Sequence, residues 1–141
     1  MNNVNVIDAS AILAYLQRER GEDVVEVALD AGTCWITAVN YCEVLGKLRE
    51  KGMPSSDAQS AIADLGLSII DFDIELARYA AELRAKTFAI GASLGDRACL
   101  ALAEKFAGEK TDAVVFTAEQ SWARVKWPFK VVVIRSAKTA P

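Results

Sequence analysis

The 141-residue chain reads as an α/β protein, a mainly parallel sheet of about five strands with helices on both faces. Two observations predict this. Short apolar runs, several of them rich in β-branched residues, recur at 4–7, 34–38, 67–72, 113–116 and 131–135. Between most of them lie longer stretches with the apolar spacing of helices. Strand and helix thus alternate, and right-handed crossovers then place helices on both sides of the sheet.

Each element has a local reason. "VNVI" (4–7) is a strand and "ASAILAYLQRE" (9–19) the helix after it. "CWITA" (34–38) is a second strand, followed by a helix through about Lys51. Gly52, Pro54 and Ser55 break the chain, and "SSDAQSAIADL" (55–65) is a short helix with a capping box from Ser56 to Gln59. "LSIIDF" (67–72) is a third strand, and Asp73 caps the helix "IELARYAAELRAK" (74–86). The loop "AIGA" (89–92) leads into a helix that opens with "SLGDRACLALA" (93–103). "AVVF" (113–116) is the fourth strand, with a short helix from Ala118. Pro128 ends that segment, and "VVVIR" (131–135) is the fifth strand.

Composition narrows the chemistry. With 52% hydrophobic and 25% charged residues the chain is expected to fold as one domain over 1–141, with a real core. Its apolar runs are far shorter than the ~20 residues of a membrane span, and the N-terminus lacks the pattern of a secretory signal. Cys34, Cys42 and Cys99 are odd in number, have apolar neighbours and read as reduced core thiols, so a cytoplasmic location is expected. There is no histidine, which removes His-based nucleophile machinery and His-ligated zinc. Hydrolytic chemistry here would have to run on carboxylates, metal ions or both. The net charge of −3 hides an asymmetry: residues 1–96 carry 15 acids against 8 bases, and residues 97–141 carry 4 against 8. Arg124, Lys126, Lys130, Arg135 and Lys138 follow Glu119 with no acid among them. Such a tail can hold phosphates or simply be solvated.

In open parallel sheets, ligands bind beyond the carboxyl ends of the strands. Four acids sit there: Asp8 after the first strand, Glu43 in the first turns of the second helix, Asp96 in the first turn of "SLGDRACLALA", and Glu119 after the fourth strand. At about 100° per residue, Asp96 falls on the apolar side of its helix beside Ala103 and Ala107, whereas Arg97, Glu104 and Lys105 take the other. Clustered carboxylates raise one another's pKa, and Mg²⁺ or Mn²⁺ relieves that repulsion. Such an ion also activates water and neutralises charge on a phosphate. Each acid has a structural explanation as well. Asp8 can N-cap its helix, Glu43 can pair with Lys47, Ser93 and Asp96 are spaced as a capping box, and Glu119 follows Thr117, a good N-cap.

The segments "NVIDASAILAYL", "TAVNYCEVLGKL", "ASLGDRACLALA" and "VVFTAEQSWARV" resemble PIN-domain ribonucleases, specifically VapC-type toxins of toxin–antitoxin pairs. The resemblance implies a PIN-like three-layer fold and a metal-dependent endoribonuclease that uses Mg²⁺ or Mn²⁺. It matches Asp8, Glu43 and Asp96 to the first three acids of the site, with Asp8 and Asp96 as principal metal ligands. Ser10 matches the hydroxyl residue near the first acid and Thr117 the one before the fourth, and Arg97 belongs to the Leu-Gly-Asp-Arg match. Glu119 stands where the family usually has Asp, which puts a second metal position in question. The implied partners are an RNA substrate, a small antitoxin and a second copy of the chain, with no membrane. Trp122 or Trp127 could stack on bases, or pack the core. Two other readings remain open: an inactive PIN-like protein-binding module, and a receiver-like phosphoacceptor using Asp71 or Asp73.

Overall fold

The computed structural model describes residues 3–136; Lys138 of the basic tail lies outside them. The strands β1 (Asn3–Ile7), β2 (Cys34–Thr37), β3 (Ser68–Ile70), β4 (Asp112–Thr117) and β5 (Lys130–Val133) form one sheet in the order β3-β2-β1-β4-β5, with every pair parallel. The helices are α1 (Ala9–Leu16), α2 (Glu22–Asp30), α3 (Ala38–Glu50), α4 (Ser55–Ala63), α5 (Ile74–Thr87) and α6 (Leu94–Gly108). A receiver places its strands in the order 2-1-3-4-5. Here β3 is an edge strand, Asp71 lies exposed just past it, and Asp73 caps α5 by accepting the Leu76 N–H at 2.9 Å. The receiver reading is therefore wrong.

The two-residue period of the strands builds a core on each face. Ile7 and Ile36 pack with Ile12, Val25, Val44, Leu48 and Ile62 under α1–α4. Val6, Ala113 and Val115 point the other way, into Leu76, Ala80, Leu83, Leu100 and Leu102 of α5 and α6. The result is three layers. Helix α6 is buried continuously from Ala98 to Ala103, which explains its apolar composition.

Several local expectations change. α2 is absent from the expected elements although its stripe is helical: Val24, Val25, Ala28 and Leu29 recur at helical spacing and pack against the core under α1–α4. α1 stops at Leu16 because Arg18 turns into the left-handed region, φ 54°. The Ser56–Gln59 capping box does not form: Pro54 is the N-cap, and Gln59 donates to Ser55 Oγ instead (3.3 Å). The helix from Ala118 is a 3-10 turn, Gln120–Arg124. Cys42 is exposed rather than a core thiol, because it faces outward on α3. Trp122 is buried in the core and so offers no surface for stacking.

β1 leads one way to β2, and β4 pairs on its other side, so the chain switches direction between β1 and β4. These two strands stay paired to Ile7 and Phe116, but the segments that leave them run to opposite faces of the sheet. Ligands of open parallel sheets bind in the crevice such a divergence makes. Gly21 shapes the same edge. It opens α2 at φ 100°, and a Cβ on it would meet Ile134 O at 2.8 Å. Gly21→Ala should therefore cost at least ~1–2 kcal/mol in denaturant unfolding. Gly46→Ala, in the interior of α3 with nothing near, should instead add about 0.5–1 kcal/mol.

Candidate active site

Asp8 occupies the N-cap position of α1, yet its side chain caps nothing. It turns into the crevice, and its Oδ2 accepts hydrogen bonds from Ser10 Oγ (2.6 Å) and Thr117 Oγ1 (2.9 Å). Each hydroxyl is itself an acceptor: Ala118 N–H donates to Ser10 Oγ (2.9 Å) and Glu119 N–H to Thr117 Oγ1 (3.0 Å). Two backbone N–H groups thus orient two hydroxyl protons onto one buried carboxylate. The capping explanation for Asp8 fails on this geometry.

Glu43 reaches the crevice from α3. It does not pair with Lys47, which bonds Glu50 at 3.5 Å. Its Oε1 accepts from Asn40 Nδ2 (2.9 Å). Asn40 is buried, accepts from Thr37 Oγ1 (2.6 Å) and also donates to Gly95 O on α6 (2.9 Å). The Glu43 carboxylate lies against Gly95, in the space that a Cβ there would fill. Sequence reasoning missed Thr37, Asn40 and Gly95. The signal for Asn40 was present, since it stands three residues before Glu43 and thus on the same helix side.

Asp96 does form the capping box: Ser93 N–H donates to its Oδ2 (2.9 Å), and Asp96 N–H donates to Ser93 Oγ (3.1 Å). The carboxylate nevertheless acts on Asp8. Asp8 is raised to about 7, first by burial, with Asp96 and Glu43 pushing up and the Ser10 and Thr117 hydrogen bonds pulling down. The buried Cys99 thiol is driven well above its usual value by burial and then by Asp8, Asp96 and Glu43. Both groups therefore sense Asp96 and Glu43, and Cys99 senses Asp8 as well.

Glu119 and Arg97 are not brought to this cluster. Glu119 is exposed, its carboxylate makes no hydrogen bond among the described residues, and it is not among the charges acting on Asp8. Arg97 points to α5, where Nη1 donates to Ala80 O (3.1 Å).

Among the described residues, no group of three or more His, Cys, Asp or Glu side chains is placed so as to hold a metal ion. The donor set still suits a hard cation. Asp8, Glu43 and Asp96 each have one oxygen held by the chain, and the other accepts no hydrogen bond among the described residues. Mg²⁺ commonly keeps several waters and takes only one or two carboxylates. Ligating carboxylates are themselves usually fixed by hydrogen bonds, as these are.

Fold and site define a class: an open parallel α/β protein with carboxylates converging at its topological switch point. The PIN domain family model matches residues 6–128, and the chain belongs to that family. No curated protein matches in sequence comparison. Among solved structures, the fold resembles a chain of VapBC2 from Rickettsia felis bound to a DNA fragment from its promoter. That match has 18% identity over 92% of this chain and 97% of the other, with TM-score 0.66. A chain of DNA-bound VapBC from Salmonella typhimurium matches at 15% identity over 93% and 98%, TM-score 0.66. A chain of FitAcB from Neisseria gonorrhoeae matches at 18% over 91% and 96%, TM-score 0.59.

The raised Asp8 has a consequence for stability. Between the ordinary carboxylate pKa near 4 and about 7, the folded chain holds a proton that the unfolded chain has released. Stability therefore falls as pH rises through that window, by roughly 2–4 kcal/mol in chelator. Asp8→Asn should remove most of that slope, as read by melting at pH 5 and pH 8. A wild-type melt that rises with pH over this range would contradict the assignment.

Proposed function

We propose that the chain is a metal-dependent endoribonuclease, silenced by a small antitoxin and acting in the cytoplasm as a homodimer. The observation that carries the nuclease reading is the buried Asp8, raised to about 7 and sensing Glu43 and Asp96 at the switch point. Burying a carboxylate beside two others is unfavourable unless something relieves it. Asp8 and Asp96 would hold Mg²⁺ or Mn²⁺ through their unengaged oxygens, and Glu43 would complete the site. When bound, such an ion supplies charge stabilisation at phosphate and lowers the pKa of attacking water.

The chain's own groups have separable tasks. Ser10 and Thr117 hold the Asp8 carboxylate in orientation and favour its charged form. Asn40 does the same for Glu43 while tying α3 to the start of α6. The capping box fixes Asp96 at the first turn of α6. Among the described residues no helix is long and apolar enough to cross a membrane. The antitoxin reading draws on the toxin–antitoxin complexes whose chains share the fold; one of them is described as a toxin–antitoxin complex from Klebsiella pneumoniae. Growth arrest on expression of the chain alone, relieved by a neighbouring gene product, is the test of that partner.

Millimolar Mn²⁺ or Mg²⁺ should raise the melting temperature at pH 7.5, since a ligand of the folded state stabilises it. Asp8→Asn should abolish most of that gain. Asp96→Asn should keep the fold and lower RNA cleavage by at least ~100-fold, because electrostatic stabilisation at the reacting phosphate is worth several kcal/mol. Glu119→Asp should leave cleavage near wild type, as its carboxylate stands outside the cluster. A folded and fully active Asp96→Asn protein would end the case for this site.

A further inference from the structure

The nuclease reading leaves one built feature unexplained, and the role inferred for that feature rests on the same reading. A cavity of about 230 Å³ lies between the end of α5 and the start of α6, lined by Arg84, Thr87, Phe88, Gly91, Ala92 and Arg97. No carboxylate lines it. Phe88 begins a 3-10 turn, Phe88–Ile90, and is 80% exposed. The turn is well defined: Thr87 Oγ1 donates to Leu83 O (2.7 Å), Gly91 N–H to Phe88 O (3.1 Å), and Gly91 closes it at φ 64°. A base in the last turn of α5 suits the helix dipole, which accounts for Arg84. It does not account for a phenyl ring held out in water beside two guanidinium groups.

Both guanidinium groups have capacity to spare. Arg84 makes no side-chain hydrogen bond or ion pair among the described residues. Arg97 spends one donor on Ala80 O, and a guanidinium has five N–H donors. Arg97 directly follows Asp96, and Ala92 directly precedes Ser93, whose N–H holds the Asp96 carboxylate. The cavity wall is thus continuous with the helix start that carries one of the three acids.

We propose that this cavity is a nucleotide subsite for single-stranded RNA, in which Phe88 stacks on a base and Arg84 and Arg97 contact the flanking phosphates. An exposed aromatic ring that shares a cavity with two arginines is the chemistry that grips an unpaired nucleotide. A second copy of the chain is a poorer occupant. An isologous contact centred here would face Arg84 and Arg97 with their own copies, with no lining acid to neutralise them.

The test is binding of a labelled ten-nucleotide single-stranded RNA of mixed sequence in chelator, so that no cleavage is needed. The proteins are wild type, Phe88→Ala, Phe88→Trp and Arg84→Gln. Phe88→Ala should weaken binding by about tenfold or more, and Phe88→Trp should hold or tighten it. Arg84→Gln should weaken binding and lower the slope of log affinity against log salt by ~0.7. Hydrolysis of bis(p-nitrophenyl) phosphate with Mn²⁺, a substrate too small to span both places, should be the same in all four. Phe88 and Arg84 are exposed, so all four should melt alike; were Phe88→Ala to misfold, Arg84→Gln still carries the test. Unchanged RNA affinity in Phe88→Ala and Arg84→Gln overturns the subsite, as does no RNA binding by wild type. A change of sedimentation in Phe88→Ala with unchanged RNA affinity overturns it in favour of a protein contact. Phe88-dependent RNA binding by a wild type that hydrolyses nothing would sink the nuclease reading and leave the subsite standing.

Discussion

The structure turns on a carboxylate buried where the sheet divides. Asp8 is 3% exposed at the end of the central strand, a place that costs several kcal/mol for an uncompensated charge. Two hydroxyls compensate it in part, and they come from opposite sides of the crevice, Ser10 from α1 and Thr117 from β4. The N–H groups of Ala118 and Glu119 point those hydroxyls inward by donating to them. The same bonds therefore hold the first helix, the exit of β4 and the acid in one arrangement. Removing the hydroxyl of Thr117 would leave a buried acceptor short of a partner and loosen the strand exit as well.

The other acids are held by the same means, each with one oxygen bound and one left over. For Glu43 the anchor is Asn40, which also accepts from Thr37 and donates to Gly95 O, so α3 and α6 are fastened through one amide. Gly95 then has two tasks: its carbonyl takes that bond, and its missing Cβ leaves room for the Glu43 carboxylate. Below, α6 is buried from Ala98 to Ala103 against α5 and the sheet. A helix so firmly packed gives its first turn little freedom, which is what a carboxylate needs if it is to hold a cation in a set geometry.

Charge is distributed to match. The acids gather at the switch point, and no base of the last third is among the charges acting on Asp8. Arg97 shows the division within two neighbouring residues: Asp96 acts on Asp8, and the guanidinium beside it turns to α5. Trp127 also stays away from the acids. It stacks on Phe129 at 5.2 Å, carries Lys86 over its ring at 4.5 Å and donates to Trp122 O, which suits a packing role.

What the sequence determined by itself was the layering and the approximate place of each strand. Alternating periods of two and near four residues are local properties, so five parallel strands, the helices that cross between them, and Asp8 just after β1 could all be read from spacing. α2 belongs with these, because Val24, Val25, Ala28 and Leu29 of "EDVVEVALD" recur at helical spacing and turn inward, while Val27 stays 72% exposed on the outer face. The fate of the individual acids could not be read in this way. Asp8 and Asp96 both stand at helix starts, yet only Asp96 caps; Glu43 looked like a surface residue, and Glu119 like a fourth member of the cluster. A helix wheel gives the direction of a side chain from its own axis and nothing about what lies opposite. Thr117 lies 109 residues from Asp8 and Gly95 55 from Asn40, and only the packed sheet brings them within hydrogen-bonding distance. Which carboxylate is buried, which is fixed and which is left in water is a matter of desolvation and of partners, and both are set by tertiary structure.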